Sequence, residues 1–356
     1  MSDSPKRRKR PAFELGGERI AAGSSTTVEL PVANLYTNTP VHIPVRVIHG
    51  RRDGPVLWVS AALHGDEING VEIVRRVLRH PDLKRLRGTL IAVPIVNTLA
   101  FLHQSRYLPD RRDLNRSFPG SERGSLAARI AHLFLKEVVG RSDYGIDLHT
   151  GAIHRPNLPQ IRANLANETT ARLARAFGAP LLLNSPPSDG TLRAYTTEHG
   201  IPVLLYEASE ALRFDELAIR IGMRGAIRVM RELEMLPRTR SRTRTRAPEP
   251  VTAQSSQWVR AGTSGILRAQ VALGDRVRKD QQIAVIGDPM GDDELPVAAT
   301  TDGVVIGRLN LPLVHEGDAL FHIAKVDRPA KAAATVEQVQ TETKDWQPPS
   351  EEPEIV

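Results

Sequence analysis

The feature that most constrains the fold is an alternation of strand and helix patterns between residues 56 and 236. Short apolar runs alternate with segments whose apolar residues recur at helical spacing. The predicted strands are 56–63, 89–93, 143–148 and 203–206, and the predicted helices are 67–78, 126–139, 169–177 and 214–236. Because such alternation is typical of parallel strands covered by helices, the sequence predicts an α/β layered domain with a mixed, largely parallel sheet.

The remaining segments predict further domains and linkers. Residues 1–25 are predicted to form a disordered basic arm, and residues 26–237 the main domain, with entry strands in 26–50. Residues 238–256, rich in Arg, Thr, Pro and Ser, predict a linker or exposed loop. Short apolar runs separated by Gly and Asp predict a small all-β domain over 257–326. Residues 327–356 carry seven acids against three bases, which predicts a disordered acidic tail.

Charge and cysteine content exclude several classes of function. The formal charge is +7, but residues 1–11 contribute +4 and the arginines at 238, 240, 242, 244 and 246 contribute +5, leaving the rest near neutral at −2. A specific nucleic-acid partner is therefore disfavoured, because no recognisable base-reading motif accompanies the charge. With no cysteine, the chain has neither disulfides nor thiolate ligands, so a metal site requires His, Asp or Glu.

Membrane insertion is not expected. The sequence contains no apolar run of about 18 residues, and the basic start is followed by Pro11 and polar residues, unlike an apolar signal segment. We therefore expect a cytoplasmic protein without a membrane partner, and leave the oligomeric state open between monomer and homo-oligomer.

Groups that bind metals lie at three predicted strand ends. His64 and Glu67 follow the first strand of the alternation, His149 follows the third, and Glu207 ends the fourth. In open α/β sheets, functional groups gather at the carboxyl ends of strands. Taken singly, His149 suits a hydrogen-bonded core histidine and Glu207 a helix N-terminal acid. Together, the four residues match a catalytic zinc with three ligands and one further carboxylate as base. Asp147 is an additional partner or a structural residue.

A polar loop over residues 113–120 supplies a candidate for carboxylate recognition. Arg116 has a planar guanidinium suited to two parallel bonds with a carboxylate, and Asn115 beside it adds a donor. The alternative is a loop salt bridge between Arg116 and Asp110 or Asp113.

Four motifs resemble the succinylglutamate desuccinylase/aspartoacylase family, related to the zinc carboxypeptidases: His64–Glu67, 113–120, the stretch around His149, and Glu207. The resemblance spans roughly residues 40–236 and implies a zinc-carboxypeptidase-like layered fold. It implies one Zn²⁺ per chain on His64, Glu67 and His149, and Glu207 as general base and acid. It further implies that Asn115 and Arg116 bind the substrate carboxylate and that an arginine polarises the scissile carbonyl; Arg106 is the first candidate and Arg111 the reserve. For a basic residue at the far end of the pocket, Arg162 is preferred over Arg155 and Arg193.

Residues 257–326 resemble the barrel-like C-terminal domain of this family, with a biotinyl/lipoyl-like pattern of turns. A carrier domain would need a lysine at its hairpin tip, and none occurs between Gln281 and Thr301. Shaping the pocket is therefore the expected role of this domain.

The resulting expectation is a zinc-dependent hydrolase that cleaves the amide bond of an N-acylated amino acid or a similar small carboxylate-bearing amide. The nearer alternative is a zinc carboxypeptidase acting on peptides or amide-linked amino-acid tails. The more distant one is a binding module that has lost its zinc site, which the complete set of ligands, base and arginine disfavours.

Overall fold

The computed structural model describes residues 10–238, 249–327 and 329–344. Up to residue 238 the strands are β1 (Phe13–Leu15), β2 (Glu18–Ile20), β3 (Ser24–Asn34), β4 (Pro40–His49), β5 (Arg52–Ala61), β6 (Arg87–Val93), β7 (Tyr144–Gly151), β8 (Asn157–Ala163), β9 (Leu181–Asn184) and β10 (Val203–Glu210). The helices are α1 (Asn69–Leu78), α2 (Thr98–Leu102), α3 (Leu126–Glu137), α4 (Glu168–Phe177), α5 (Leu192–Glu198) and α6 (Glu216–Glu232), with 3-10 turns at Pro81–Arg85, Leu114–Arg116 and Val139–Arg141.

The last part of the described chain is rich in strands and ends in a helix. Its strands are β11 (Val251–Ala253), β12 (Ser255–Arg260), β13 (Gly265–Ala269), β14 (Arg276–Val277), β15 (Gln282–Gly287), β16 (Glu294–Ala298), β17 (Gly303–Arg308), β18 (Leu313–Val314) and β19 (Ala319–Lys325). The helix is α7 (Pro329–Lys344).

A large mixed sheet organises the molecule, in the order β12-β19-β17-β8-β10-β7-β5-β6-β4-β3. Strands β10, β7, β5 and β6 run parallel, whereas β8 pairs antiparallel with β10 and β4 antiparallel with β6. The prediction of an α/β fold with a mixed sheet is confirmed, but the prediction that the sheet is largely parallel is wrong: among the described strands its five parallel pairs are outnumbered by seven antiparallel ones, because hairpins flank the parallel centre on both sides. Its parallel centre directs the carboxyl ends of β5, β7 and β10 to the same edge, where ligand sites of such sheets lie.

Helices cover both faces of this sheet because each has one apolar face. Helix α1 buries Ile73, Val74 and Val77 in a core shared with α4 and α6, while α3 packs on the opposite face with β3 and β4. Each such aliphatic side chain contributes about 1.5–3 kcal/mol when fully buried. On the exposed side of α1, Glu72 accepts hydrogen bonds from Arg75 and Arg76. Arg76 also donates to Glu216 at the start of α6, which links the two helices.

The predicted core elements match the observed ones closely. The eight strands and helices predicted between residues 56 and 236 correspond to β5, α1, β6, α3, β7, α4, β10 and α6, with ends that differ by a few residues. Both β7 and β10 extend beyond the predicted ends, so that His149 and Glu207 lie inside strands. The register of β10 with both neighbouring strands shifts after Glu207, and Ser209 has a positive φ of 62°. The predicted end of this strand therefore corresponds to an irregularity within β10.

Three predicted irregular segments contain regular structure. The prediction of a disordered arm over 1–25 is wrong over Phe13–Leu15 and Glu18–Ile20, which form a hairpin that buries Leu15 and Ile20. The linker prediction over 238–256 is wrong at Val251–Ala253, which pairs with β9. The remainder of these predictions falls partly on residues 1–9 and 239–248, which lie outside the described residues.

The prediction of a disordered tail over 327–356 is wrong over Pro329–Lys344. Ala332, Val336 and Val339 recur at helical spacing, and all three are buried against the body of the protein. Burial of this apolar face outweighs the polar composition of the segment. Residues 345–356 lie outside the described residues.

The C-terminal strands are divided between two sheets. Strands β16, β15, β13 and β18 form a sheet of their own, whereas β12, β19, β17 and β14 join the large sheet. The C-terminal strands meet the rest of the large sheet at two places: Gly307 on β17 pairs with Asn157 on β8, and β11 pairs with β9. These strands enclose a separate buried cluster that includes Ile283, Val305 and Phe321. The domain boundaries at 257 and 326 stay a prediction.

In the described ranges, the search for a helix long and apolar enough to cross a membrane found none.

Candidate metal centre and cavity

The turn between β5 and α1 positions His64 and Glu67. Ala62 adopts a positive φ of 49° directly after β5, and the Asn97 side-chain amide donates to the Leu63 carbonyl oxygen at 3.2 Å. Gly65 passes so close to α2 that a Cβ atom there would lie 2.0 Å from the Ala100 carbonyl carbon. Only glycine fits at this position without moving the backbone. The turn is thereby held at a fixed depth beneath α2.

The third residue of the cluster comes from the neighbouring strand. Strand β7 pairs in parallel with β5, with Leu148 opposite Ala61, so His149 emerges at the edge where the β5 turn begins. Strand β10 pairs on the other side of β7 and places Glu207 directly opposite His149. Adjacent strands are about 4.8 Å apart. Four of the predicted site residues therefore meet because of strand register.

His64, Glu67 and His149 form a compact buried cluster. One potential ligand atom from each lies within 4.8 Å of the others, and their exposed fractions are 3%, 2% and 6%. Glu67 places one carboxylate oxygen 2.6 Å from His64 Nδ1 and the other 2.8 Å from His149 Nδ1. Two imidazole nitrogens and a carboxylate oxygen facing one another are a donor set that suits a divalent metal such as zinc. The prediction that these residues lie together is confirmed.

Carboxylates hold the outer nitrogen of each histidine. His64 Nε2 lies 3.0 Å from Asp113 Oδ1, and His149 Nε2 lies 2.8 Å from Asp147 Oδ2. Ser60 Oγ donates to the other oxygen of Asp147 at 2.8 Å. Such outer carboxylates orient metal-binding imidazoles and raise their basicity. The arrangement therefore supports a metal at the inner nitrogens, and of the two roles considered for Asp147 it favours the partner of His149.

The charges in the cluster shift its titration strongly. Burial acts to lower the pKa of His149, but the carboxylates of Asp147 and Glu67 outweigh it and raise this pKa well above the ordinary value. Burial likewise lowers the pKa of His64, and Glu67 and Asp113 raise it further than burial lowers it. Burial acts to raise the pKa of Glu67, but the two histidines reverse this and hold it far below its usual range. Protons therefore compete with a metal for the imidazole nitrogens up to a higher pH than they would at a free histidine.

Arg106 lies against this cluster. Its Nη2 atom is 2.9 Å from Asp113 Oδ2, and its Nη1 atom is 3.4 Å from Glu67 Oε1. Arg106 also lines the cavity described next, whereas the reserve candidate Arg111 is exposed and is not among the lining residues. The position of Arg106 is consistent with its predicted role.

The cluster opens into a cavity of about 310 Å³. Five arginines lie in its wall, together with two carboxylates, Glu67 and Glu207; the arginines are Arg106, Arg116, Arg155, Arg162 and Arg193. Asn115 also lines it, and its side-chain oxygen accepts from the Leu192 backbone N–H at 3.0 Å. The amide NH₂ of Asn115 thus remains as a donor. The wall is strongly cationic and suits an anionic molecule.

Glu207 and Arg162 form an ion pair in this wall. Arg162 Nε lies 2.6 Å from Glu207 Oε2, although the two atoms are not aligned as a hydrogen bond. Arg162 comes from β8, the strand beside β10, and is one of the three arginines considered for the far end of the pocket.

Two further arginines of the wall have other partners. Arg193 donates to the Ser185 carbonyl oxygen, and burial, then the charge of Arg162, lower its pKa to about 10. Arg116 donates to the Asn115 carbonyl oxygen, and the proposed pair with Asp110 or Asp113 is not observed among the described ion pairs.

Two aromatic residues in the cavity wall were not anticipated from the sequence. Trp258 on β12 and His322 on β19 are cross-strand partners whose rings stack with centroids 4.5 Å apart and planes 6° apart. His322 is 5% exposed, and its Nδ1 atom has no hydrogen-bond partner among the described residues. Burial, then the charge of Arg162, lower its pKa to about 3, so the ring is neutral at physiological pH. No local pattern marks these residues, because only strand pairing brings them to the cavity.

Comparisons with known proteins agree with this site. The model of the succinylglutamate desuccinylase/aspartoacylase catalytic domain matches residues 53–233. The N-alpha-acetyl-L-2,4-diaminobutyric acid deacetylase of Halomonas elongata is 28% identical over 323 residues, which cover 84% of this chain and 90% of that protein.

Solved structures share the fold over most of their length. A succinylglutamate desuccinylase/aspartoacylase from Rhodobacter sphaeroides superposes with a TM-score of 0.76 at 24% identity, covering 85% of this chain and 96% of that one. The product-bound ectoine utilization protein EutE (DoeB) from Ruegeria pomeroyi superposes with a TM-score of 0.76 at 23% identity, covering 89% and 99%. The family model spans half of the chain and includes the three clustered residues and Glu207, so the chain belongs to the succinylglutamate desuccinylase/aspartoacylase family.

Proposed function

We propose that this protein is a zinc-dependent hydrolase that cleaves the amide bond of an N-acylated amino acid or a similar small carboxylate-bearing amide. The observation that carries the proposal is the buried cluster of His64, Glu67 and His149, which opens into a cavity beside Glu207 and Arg106. The family assignment and the deacetylase relative support the same class of reaction.

His64, Glu67 and His149 would hold the metal. Their donor set matches the two-histidine, one-glutamate ligand set of catalytic zinc sites, and Asp113 and Asp147 hold the two imidazoles from behind. When bound there, zinc would supply a Lewis acid that polarises a carbonyl and acidifies a water toward a pKa of about 7.

Glu207 would move the proton. Its carboxylate lines the cavity on the strand beside His149, where it can accept a proton from the attacking water and return that proton to the leaving amine. The ion pair with Arg162 fixes the direction of the carboxylate. Arg162 therefore supports Glu207 in addition to any contact with the substrate.

The arginines would bind negative charge at different stages. Arg106, nearest the metal ligands, would donate to the carbonyl oxygen as charge develops there. Asn115 and Arg116 would bind the carboxylate of the substrate, for which a planar guanidinium offers two parallel donors. Arg162 remains the proposed basic residue toward the far end of the pocket.

The charge of the cavity bears on the choice of substrate. The relative from Halomonas elongata is named for a substrate with a side-chain amine, which is cationic at neutral pH. Among the described lining residues, the two carboxylates are Glu67, in the metal cluster, and Glu207, paired with Arg162. An ammonium group would thus meet five arginines without a free carboxylate. We infer a preference for substrates whose side chain is neutral or anionic.

The C-terminal strands complete the pocket in this proposal. We infer that they form the barrel-like unit expected from the sequence and that Trp258 and His322 are its contribution to substrate fit. A cytoplasmic location stays a prediction that cell fractionation would test, and light scattering of the purified protein would decide between monomer and homo-oligomer.

The test combines metal content with amine release. We expect about one zinc per chain by mass spectrometry, and deacylation of a panel containing N-acetyl-2,4-diaminobutyrate, N-acetylaspartate, N-succinylglutamate and short peptides. Glu207→Gln should lower the rate by about 10²–10⁴ while retaining zinc, because the general base is lost and the ligands remain.

Glu210→Gln is the matched control. Glu210 lies on the same strand, contacts Arg213 and Asn310 and does not line the cavity, so its replacement should leave the rate within about twofold. Failure to bind zinc, or equal rates for the two variants, would contradict the proposal. Hydrolysis of peptides at their carboxyl end, with no release from small N-acyl amino acids, would favour the carboxypeptidase alternative.

A further inference from the structure

A second, larger cleft lies at the opposite edge of the sheet from the metal cluster. Its volume is about 870 Å³, against about 310 Å³ for the cavity that contains the metal cluster. It is bordered by the start of β5 at Arg52, the start of β6 at Arg87 and the chain that follows α6. The metal cluster lies at the carboxyl ends of the parallel strands, whereas this cleft lies at their amino ends. The two are therefore separate features of the protein.

The cleft is lined by an excess of positive charge. Seven lysine and arginine residues line it, against one carboxylate, Glu234. Arg231 is paired with Asp82, and Arg238 lies 3.8 Å from Glu234. The other five are exposed and have no carboxylate within ion-pair distance among the described residues; they are Arg51, Arg52, Lys84, Arg85 and Arg87.

The cleft differs from the parts of the described surface where exposed arginines are paired with glutamates, as Arg75, Arg172 and Arg268 are. In the cleft, five like charges share one concavity, which raises the local potential and attracts anions. Self-repulsion of this kind is relieved when an anionic ligand is bound.

We propose that this cleft binds the phosphate backbone of single-stranded nucleic acid without regard to sequence. A concave surface excludes a flat membrane, and a flexible strand follows a concavity that a stiff duplex spans poorly. No phenylalanine, tyrosine or tryptophan is among the lining residues, so the contacts run through phosphates and not through stacked bases.

Two basic residues that border undescribed segments, Arg10 and Arg238, lie at the same face of the protein. Arg10 donates to the carbonyl oxygens of Gly88 at 2.7 Å and Gly50 at 3.1 Å, and Gly50 lines the cleft. Arg238, the last residue before the gap in the described chain, also lines it. The binding surface consists of the cleft residues alone; the bases at positions 6–9 and 240–246 lie outside the described residues.

The test is fluorescence anisotropy of a labelled 20-nucleotide oligo-dT with the full chain, at several salt concentrations. We expect a dissociation constant of about 1–100 µM at 150 mM NaCl and a strong weakening with salt, because each neutralised phosphate contributes about −0.7 to the slope of log K against log[salt] for single strands. The triple variant Arg51→Gln/Arg52→Gln/Arg85→Gln should bind at least about tenfold more weakly and reduce this slope by about 2.

A matched control removes the same charge elsewhere. Arg276, Arg278 and Lys279 are exposed at β14 and the turn after it, and the variant with all three changed to Gln should bind within about twofold of the wild type. Equal weakening in both triple variants would overturn the proposal, as would no change in the cleft variant. Tighter binding of polyglutamate or inorganic polyphosphate, matched for charge, would overturn the assignment to nucleic acid.

Discussion

Asp147 offers the sharpest test of the metal centre. Its two oxygens accept from Ser60 Oγ and lie against His149 Nε2, each at 2.8 Å, and the residue is 2% exposed. Asp147→Asn preserves size and both contacts: the amide oxygen can accept from the imidazole, and the NH₂ group can donate to the Ser60 oxygen. The substitution therefore removes one negative charge behind His149 while disturbing the packing little.

The expected effect is on zinc affinity. Without the carboxylate, the imidazole is a weaker base, and its orientation depends on a neutral hydrogen bond. Loss of such a partner lowers metal affinity by about 10–100-fold, equivalent to about 1.4–2.8 kcal/mol. Competition with a chromophoric chelator would measure the dissociation constant of zinc in wild type and variant.

Asp143→Asn is the control for this prediction. Asp143 precedes β7, is exposed and accepts from the Val56 backbone N–H, far from the cluster in the strand. Its replacement should alter zinc affinity by less than about twofold. If Asp147→Asn folds normally and binds zinc as tightly as the wild type, the inference that Asp147 supports a metal ligand is wrong.

Four further outcomes are expected. Arg106→Gln should lower the deacylation rate by about 10²–10³ with zinc content retained, as measured by steady-state kinetics and mass spectrometry, because the donor to the developing oxyanion is lost. Zinc affinity should rise with pH and level off above the raised pKa values of His64 and His149, because below these values protons occupy the ligand nitrogens. Zinc titrations from pH 5 to 9 would measure this dependence. An affinity that does not change with pH would contradict it. We expect the unpartnered Nδ1 atom of His322 to hydrogen-bond the substrate, so His322→Phe should keep the stack on Trp258 but raise KM by about 2–10-fold with kcat little changed. Gly65→Ala should destabilise the fold by about 1–3 kcal/mol in urea unfolding, because the new methyl group meets the backbone at Ala100.

Local patterns predicted the chemistry of the site better than its walls. The apolar runs of β5, β7 and β10 and the polar residues that follow them are readable in sequence, so the cluster of His64, Glu67 and His149 was expected. Strand β8 was not, because it contains Asn157, Pro159 and Arg162. Pro159 is accommodated because it falls where the register between β8 and β10 shifts, so that its missing N–H costs no ladder bond to β10.

Asp113 and His322 show why the remainder was not predictable. Asp113 seemed a partner for a nearby arginine in the sequence, and its contact with His64, 49 positions earlier, depends on how the loop folds over the metal cluster. His322 lies 115 positions after Glu207 and reaches the cavity through pairing between β12 and β19. Such contacts follow from tertiary packing, which periodicity does not encode. The helix α7 is a different case: Ala332, Val336 and Val339 have helical spacing in the sequence, but the polar and acidic composition of the segment around them is typical of a disordered tail.

The stacked pair of Trp258 and His322 has an evolutionary consequence. The residues proposed for bond cleavage all lie before residue 208, whereas this pair belongs to a stretch of chain that begins after residue 250 and meets the earlier strands where Gly307 pairs with Asn157 and β11 pairs with β9. The groups proposed to break the bond and one part of the pocket wall are thus encoded in separate parts of the gene, whereas Asn115, Arg116 and Arg162, proposed to bind the substrate, belong to the earlier part. Changes in the later part, by recombination or by drift in a few positions, would thus reshape one wall of the pocket while leaving the bond-breaking residues and the proposed carboxylate-binding residues untouched.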